Sequence, residues 1–127
     1  MEEKHVILVV DDEESSRESV ERMLREEHYT VLCAENGEQA LQLLHQHPHV
    51  DLILTDMRMP GMSGLDLLKK VRTIHENIRV IIVTGFGEIE SYIEAMSSGA
   101  VEYVSKPFKM NELKLIVKKV LNNPEES

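Results

Sequence analysis

The chain has a single cysteine, Cys33, among its 127 residues. An intramolecular disulfide is excluded, and a reducing, cytoplasmic setting is expected. Cys33 lies in the apolar run VLCA, which suits a buried, inert thiol. Long apolar runs are also missing: none approaches the roughly 18 residues needed to span a bilayer. The opening MEEKH is acidic and leads directly into a strand-like run, so it does not have the form of a signal peptide. Glycine and proline are scarce, at 6 and 4 residues, beside 42% hydrophobic and 29% charged residues. That balance excludes general disorder and allows a real core. Basic residues are outnumbered, 14 Lys and Arg against 23 Asp and Glu, for a formal net charge of -9. Such a surface repels phosphate backbones and anionic lipid, so direct binding of nucleic acid or membrane by this domain is not expected. Phosphate-binding glycine loops are absent too, since neither G-x-x-x-x-G-K-[ST] nor G-x-G-x-x-G occurs.

What is there is an alternation of short apolar runs with longer amphipathic ones. VILVV (6–10), TVLCA (30–34), LILT (52–55), VIIV (80–83) and VEYV (101–104) read as strands. Helical stripes follow them: Val20, Met23 and Leu24; Ala40, Leu41 and Leu44; Leu65, Leu68 and Val71; Ile89, Ile93 and Met96; and Leu113, Ile116, Val117, Val120 and Leu121. Asn36 with Gln39 and Ser63 with Asp66 have capping-box spacing, and Gly99 suits a helix C-terminus. Length predicts one domain, residues 1–121, with 122–127 (NNPEES) as a tail or the start of a linker.

Five βα units imply an α/β fold, a doubly wound parallel sheet with helices on both faces. The runs at 6–10, 52–55 and 80–83 are apolar throughout and belong in the centre; those at 30–34 and 101–104 carry polar residues, as edges do. With right-handed crossovers the order 2-1-3-4-5 satisfies this. Strand order then reverses direction between strands 1 and 3, which opens a crevice at their carboxyl ends.

The polar residues gather at that edge. Asp11 and Asp12 follow strand 1, Asp56 ends strand 3, Thr84 ends strand 4 and Lys106 follows strand 5. Each has an ordinary reading: a helix N-cap for Asp11 or Asp12, a turn at Thr84-Gly85, a solvated loop lysine at 106. Asp56, before Met-Arg-Met-Pro-Gly, is harder to read as a simple cap. Four separate strands delivering such groups to one edge favours a site. Three carboxylates in one crevice repel, at on the order of 4 kcal/mol per pair 4 Å apart at an effective dielectric of 20. One lysine does not neutralise three acids, whereas a divalent cation does. Hard oxygen donors favour Mg²⁺ over zinc, and Mg²⁺ in turn suggests a phosphorylated ligand or side chain.

The segments VDDEES (10–15), TDMRMPGMSG (55–64), VTGFGE (83–88) and GAVEYVSKPF (99–108) resemble the receiver domain of two-component response regulators, over roughly residues 4 to 121. The resemblance implies the flavodoxin-like receiver fold with five helices. It also implies that Asp56 accepts a phosphoryl group from a phosphohistidine on a sensor histidine kinase or phosphotransfer protein. Asp12 and, largely through water, Asp11 would hold Mg²⁺ together with Asp56 and the carbonyl of Arg58; Lys106 and Thr84 would bind the phosphoryl oxygens. The Lys106–Pro107 bond resembles the family's cis peptide. Thr84 and Tyr103 form the implied switch, altering the helix 4, strand 5 and helix 5 surface that meets a downstream effector domain or protein, or a second copy of the chain. The domain would catalyse its own phosphotransfer and slow dephosphorylation without being a conventional enzyme. Arg58 and Phe86, two residues beyond Asp56 and Thr84, are large and not acidic, and are expected to crowd a hydrolytic water.

Two rival functions stay in view: a module of the same fold that works without phosphorylation, and an aspartyl-nucleophile phosphohydrolase. The second expects an acid two residues after the nucleophile, where this chain has Arg58. HQHPH (45–49) reads as a solvated helix end rather than a metal site; Met57, Met59 and Met62 could suggest a soft-metal site, but Met59 is expected to pack under the loop and Met62 to sit in a partner-facing lip.

Overall fold

The computed structural model describes residues 4–85 and 89–122, with the side chains of residues 89 and 90 left out. In chain order the elements are β1 (Val6–Val10), α1 (Glu14–Glu26), β2 (Thr30–Ala34), α2 (Gly37–Gln46), β3 (Leu52–Asp56), α3 (Gly64–Ile74), β4 (Arg79–Thr84), α4 (Ile89–Ser97), β5 (Glu102–Ser105) and α5 (Met110–Leu121). The strands form one sheet in the order β2-β1-β3-β4-β5, all neighbours parallel. This is the order read from the polarity of the strands.

The period-two alternation of the central strands builds two cores. Leu8, Val10, Ile53, Val80 and Ile82 face one side, against Ala40 and Leu44 of α2, Leu67, Leu68 and Val71 of α3 and Ala95 of α4. Ile7, Val9, Leu52, Leu54, Ile81 and Val83 face the other, against Val20, Met23 and Leu24 of α1 and Leu113, Val117, Val120 and Leu121 of α5. Strands buried on both faces need apolar residues at every position, which is why these runs do not alternate in sequence.

Helix ends follow local chemistry. Ser63 and Asp66 form the reciprocal capping box at α3. At α2 only half of the expected box forms: Asn36 accepts from the Gln39 N–H, while the Gln39 side chain caps the N–H of Glu35 instead. Gly99, at φ +110°, ends α4, with the Ala100 N–H returning to the Ala95 carbonyl. His28 does the same for α1 at φ 72°, a termination without glycine.

The bounds of three strands and the make-up of two helical stripes differ from expectation. β3 runs on to Asp56, β4 spans 79–84, and β5 begins one residue late because ladder pairing starts at Ile81 with Glu102. In α3, Leu67 is fully buried and Leu65 only partly. In α4, Ile93 is 56% exposed and Ala95 faces the core. The small side chain lets this short helix approach the sheet, and that rotates its outer face. Among the described residues no helix is long and apolar enough to cross a membrane.

Candidate functional site

β3 delivers Asp56 to the carboxyl edge of the sheet, where it pairs with Val83 of β4. One carboxylate oxygen, Oδ1, accepts from the Met57 N–H at 2.9 Å; the other, Oδ2, lies 3.4 Å from Lys106 Nζ. The chain can turn away sharply after Asp56 because of two glycines. Gly61 takes φ +80°, and Gly64 packs its α-carbon so closely on the Asp56 carbonyl that a Cβ would collide with it. The Gly64 N–H closes this loop on the Met57 carbonyl at 2.8 Å.

β1 delivers the other two acids. Asp11 is buried, and its Oδ1 accepts from the Glu13 N–H at 3.0 Å. Asp12 is exposed. The helix N-cap is Glu13, with no side-chain cap bond, so neither aspartate is spent as the cap residue. Asp11, Asp12 and Asp56 each offer a carboxylate oxygen within 4.8 Å of the others. The donor set is all hard oxygen and one of its members is buried, which fits Mg²⁺ and does not fit a soft metal.

Burial has the largest effect on Asp56 and raises its pKa above the ordinary 3.8. The Lys106 ammonium pulls the value down, Asp11 pushes it up, and the Met57 N–H opposes the rise. Lys106 comes from the loop after β5, and its N–H donates to the Thr84 carbonyl at 2.7 Å, tying that loop to the end of β4. The Lys106–Pro107 peptide is cis. Thr84 is buried at the end of β4, paired with Ser105. A water-sized cavity of about 20 Å³ lies under the site, lined by Asp11, Thr55, Asp56, Lys106 and Phe108 among others. A larger cleft, about 740 Å³, lies at the opposite edge of the sheet, away from these groups, by His49, Asp51 and Arg79.

Tyr103 lies on β5 with its ring packed against the α2–α3–α4 core and its hydroxyl oxygen buried. Arg58 is exposed on the loop after Asp56. Phe86 lies outside the described residues. Two contributors carried no signal in the sequence. Arg17, on α1, donates from Nη1 to the Asp11 carbonyl at 2.9 Å. The ring of Tyr92, on α4, makes a T-shaped pair with that of Tyr103. Arg17 belongs to no motif, and Tyr92 lies outside the stripe of Ile89, Ile93 and Met96 read from aliphatic spacing.

The weaker signals resolve as packing or solvation. His45, His47 and His49 are all exposed. Met57 is buried, Met59 and Met62 pack against the core, and Met62 covers Gly37. The Cys33 thiol is pushed up to about 11, mainly by burial and then by Glu21, so it is a poor nucleophile.

Comparison with known proteins gives one consistent outcome. Residues 7–118 match the model of the response regulator receiver domain. The chain is 41% identical over 115 residues to sporulation initiation phosphotransferase F of Bacillus subtilis, covering 91% of this chain and 92% of that protein. It is 40% identical over 115 residues to regulatory protein AtoC of Escherichia coli, covering 91% of this chain but only 25% of that protein. Among solved structures, a response regulator receiver domain protein of Clostridium thermocellum superposes with a TM-score of 0.88 at 32% identity, over 94% of this chain and 95% of the other. One from Methanospirillum hungatei gives 0.91 at 28% identity, over 98% of each chain.

Proposed function

Because the chain belongs to the response regulator receiver domain family, we propose that it is a phosphorylatable switch whose phosphoacceptor is Asp56. The observation that carries this reading is the gathering of Asp11, Asp12 and Asp56 within 4.8 Å, with Lys106 Nζ 3.4 Å from Asp56.

In this reading the phosphodonor is a phosphohistidine on a sensor histidine kinase or phosphotransfer protein. The Met57 N–H holds one Asp56 oxygen, and the other, beside Lys106, attacks phosphorus. The phosphorus–nitrogen bond breaks, the imidazole leaves, and an acyl phosphate forms. Lys106 and Thr84 take the phosphoryl oxygens, offsetting charge as it moves. Asp11, Asp12, Asp56 and the Arg58 carbonyl would hold Mg²⁺, which would supply charge neutralisation for the clustered acids and the phosphoryl oxygens. Nothing on the protein needs to remove a proton, since the nucleophile is already a carboxylate.

Phosphorylation adds negative charge and acceptors at Asp56. Thr84 moves to meet them, Tyr103 fills the space behind it, and the face made by α4, β5 and α5 is repacked. That face meets a downstream effector domain or protein, and a homodimer through it belongs to the same proposal. The receiver unit is taken as residues 1–121, with 122–127 as tail or linker, in a cytoplasmic protein. The domain is a substrate that promotes its own phosphorylation and slow dephosphorylation, not a turnover enzyme, and its net charge of -9 argues against direct contact with nucleic acid or membrane.

Incubation with acetyl phosphate and read-out by intact mass tests the proposal. One phosphoryl group is expected with Mg²⁺, and none with a chelator or in Asp56→Asn. A Mg²⁺-independent gain, or a gain retained in Asp56→Asn, refutes it.

A further inference from the structure

Resting on the reading of Tyr103 as the switch residue, we infer that Tyr92 is its positioning residue: the Tyr92 ring latches Tyr103 in the inward orientation and so favours the phosphoryl-bound state. The two rings are 5.4 Å apart between centroids, at an interplanar angle of 90°. This is the edge-to-face arrangement in which the positive edge of one ring meets the negative face of the other. Tyr103 is half-buried with its hydroxyl oxygen buried, whereas Tyr92 is 48% exposed. Tyr92 is thus the outer member of the pair and covers the inner one.

The helix that carries Tyr92 is tied down beside it. Lys69 of α3 pairs with Glu94 at 2.9 Å, and the Arg72 guanidinium binds the Gly99 carbonyl at 2.9 Å just past the helix end. The first of these is an exposed pair of small value; the second is part-buried and also grips the Ile78 carbonyl at 2.6 Å. Tyr92 is therefore presented from an anchored helix. An outward swing of Tyr103 breaks the ring pair, and α4 carries no other aromatic residue to replace Tyr92.

Linkage gives the functional consequence. A contact made in the inward orientation adds to the stability of whatever state requires that orientation, and the coupling is reciprocal. Tyr92 therefore raises the affinity of the site for a phosphoryl group without touching it. The aromatic ring makes the contact, so phenylalanine suffices and an aliphatic side chain does not.

The test is titration of the full chain with beryllofluoride, a non-transferable phosphoryl mimic, in the presence of Mg²⁺. Tyr92→Leu is expected to bind roughly two- to tenfold more weakly than wild type, the range an aromatic pair is worth, and Tyr92→Phe to bind as wild type does. Equal binding by Tyr92→Leu, or a Tyr92→Phe variant as weak as Tyr92→Leu, overturns the latch. Should Tyr92→Leu fail to fold, nuclear Overhauser contacts between the two rings in the wild-type protein decide: their presence supports the latch and their absence overturns it. Wild-type binding that disappears in Asp56→Ala, with Tyr92→Leu unaffected, removes the latch alone. Wild-type binding absent, or unaffected by Asp56→Ala, removes the reading of the site and the latch with it.

Discussion

The α-carbon of Gly64 rests against the main-chain carbonyl of Asp56, leaving no room for a Cβ. The contact involves backbone on one side, so a side chain cannot simply rotate aside. Gly64→Ala is expected to destabilise the protein by about 1–3 kcal/mol through overpacking, and to shift Asp56 with it. Urea unfolding measures the first effect. Phosphorylation of the remaining folded protein by acetyl phosphate measures the second, and should be slower than wild type.

The raised pKa of Asp56 makes a signed prediction for the metal-free protein. Below the ordinary 3.8 the carboxyl is protonated in the folded and unfolded chain alike, and its contribution to stability is fully present. As pH rises through the higher folded value, the folded state gives up that proton against its preference and the contribution is lost. Asp56→Asn does not titrate. Its stability should therefore gain on wild type as pH rises above about 4 toward neutrality, and be the greater near neutrality. Unfolding midpoints of both proteins across that range check the sign, and added Mg²⁺ should narrow the gap by stabilising wild type.

Lys106 should separate stability from chemistry. Its Nζ is 3.4 Å from Asp56 Oδ2 and its side chain is 29% exposed, a long and partly solvated ion pair. Lys106→Gln is expected to change unfolding free energy by no more than about 1 kcal/mol. Loss of a charge that stabilises the moving phosphoryl group should slow phosphorylation on the order of a hundredfold. Equal slowing and unfolding would mean that Lys106 is structural.

Arg58 and Phe86 are proposed to bear on how long the phosphoryl group lasts. Small or acidic residues at both positions are expected to speed loss of phosphate from Asp56 by roughly tenfold, equivalent to about 1.4 kcal/mol off the barrier. Decay followed by phosphate release in the double variant checks this. An unchanged lifetime would show that neither side chain lies on the path of the hydrolytic water.

Much of this is legible in the chain because the strands differ in kind. β1, β3 and β4 are buried on both faces and β2 and β5 carry polar residues, so side-chain polarity alone sorts centre from edge. Asp11, Asp12, Asp56, Thr84 and Lys106 are legible for the same reason, since each sits where a strand ends. Contacts made across elements are not. Arg17 reaches the Asp11 carbonyl from α1, and Tyr92 meets Tyr103 only because α4 turns Ala95, not Ile93, toward the sheet. Aliphatic spacing favours the larger residue, whereas close approach of a short helix favours the smaller. His28 ends α1 in a conformation usually left to glycine, and no sequence signal marks that choice.

Asp56 itself is proposed to carry the phosphoryl group. Protein treated with acetyl phosphate and Mg²⁺, then reduced with borohydride, converts an aspartyl phosphate to homoserine, which peptide mass spectrometry locates. Homoserine is expected at position 56, in the peptide containing Met57 and Arg58. Homoserine at position 11 or 12, or phosphorylated protein that yields none, would contradict that assignment.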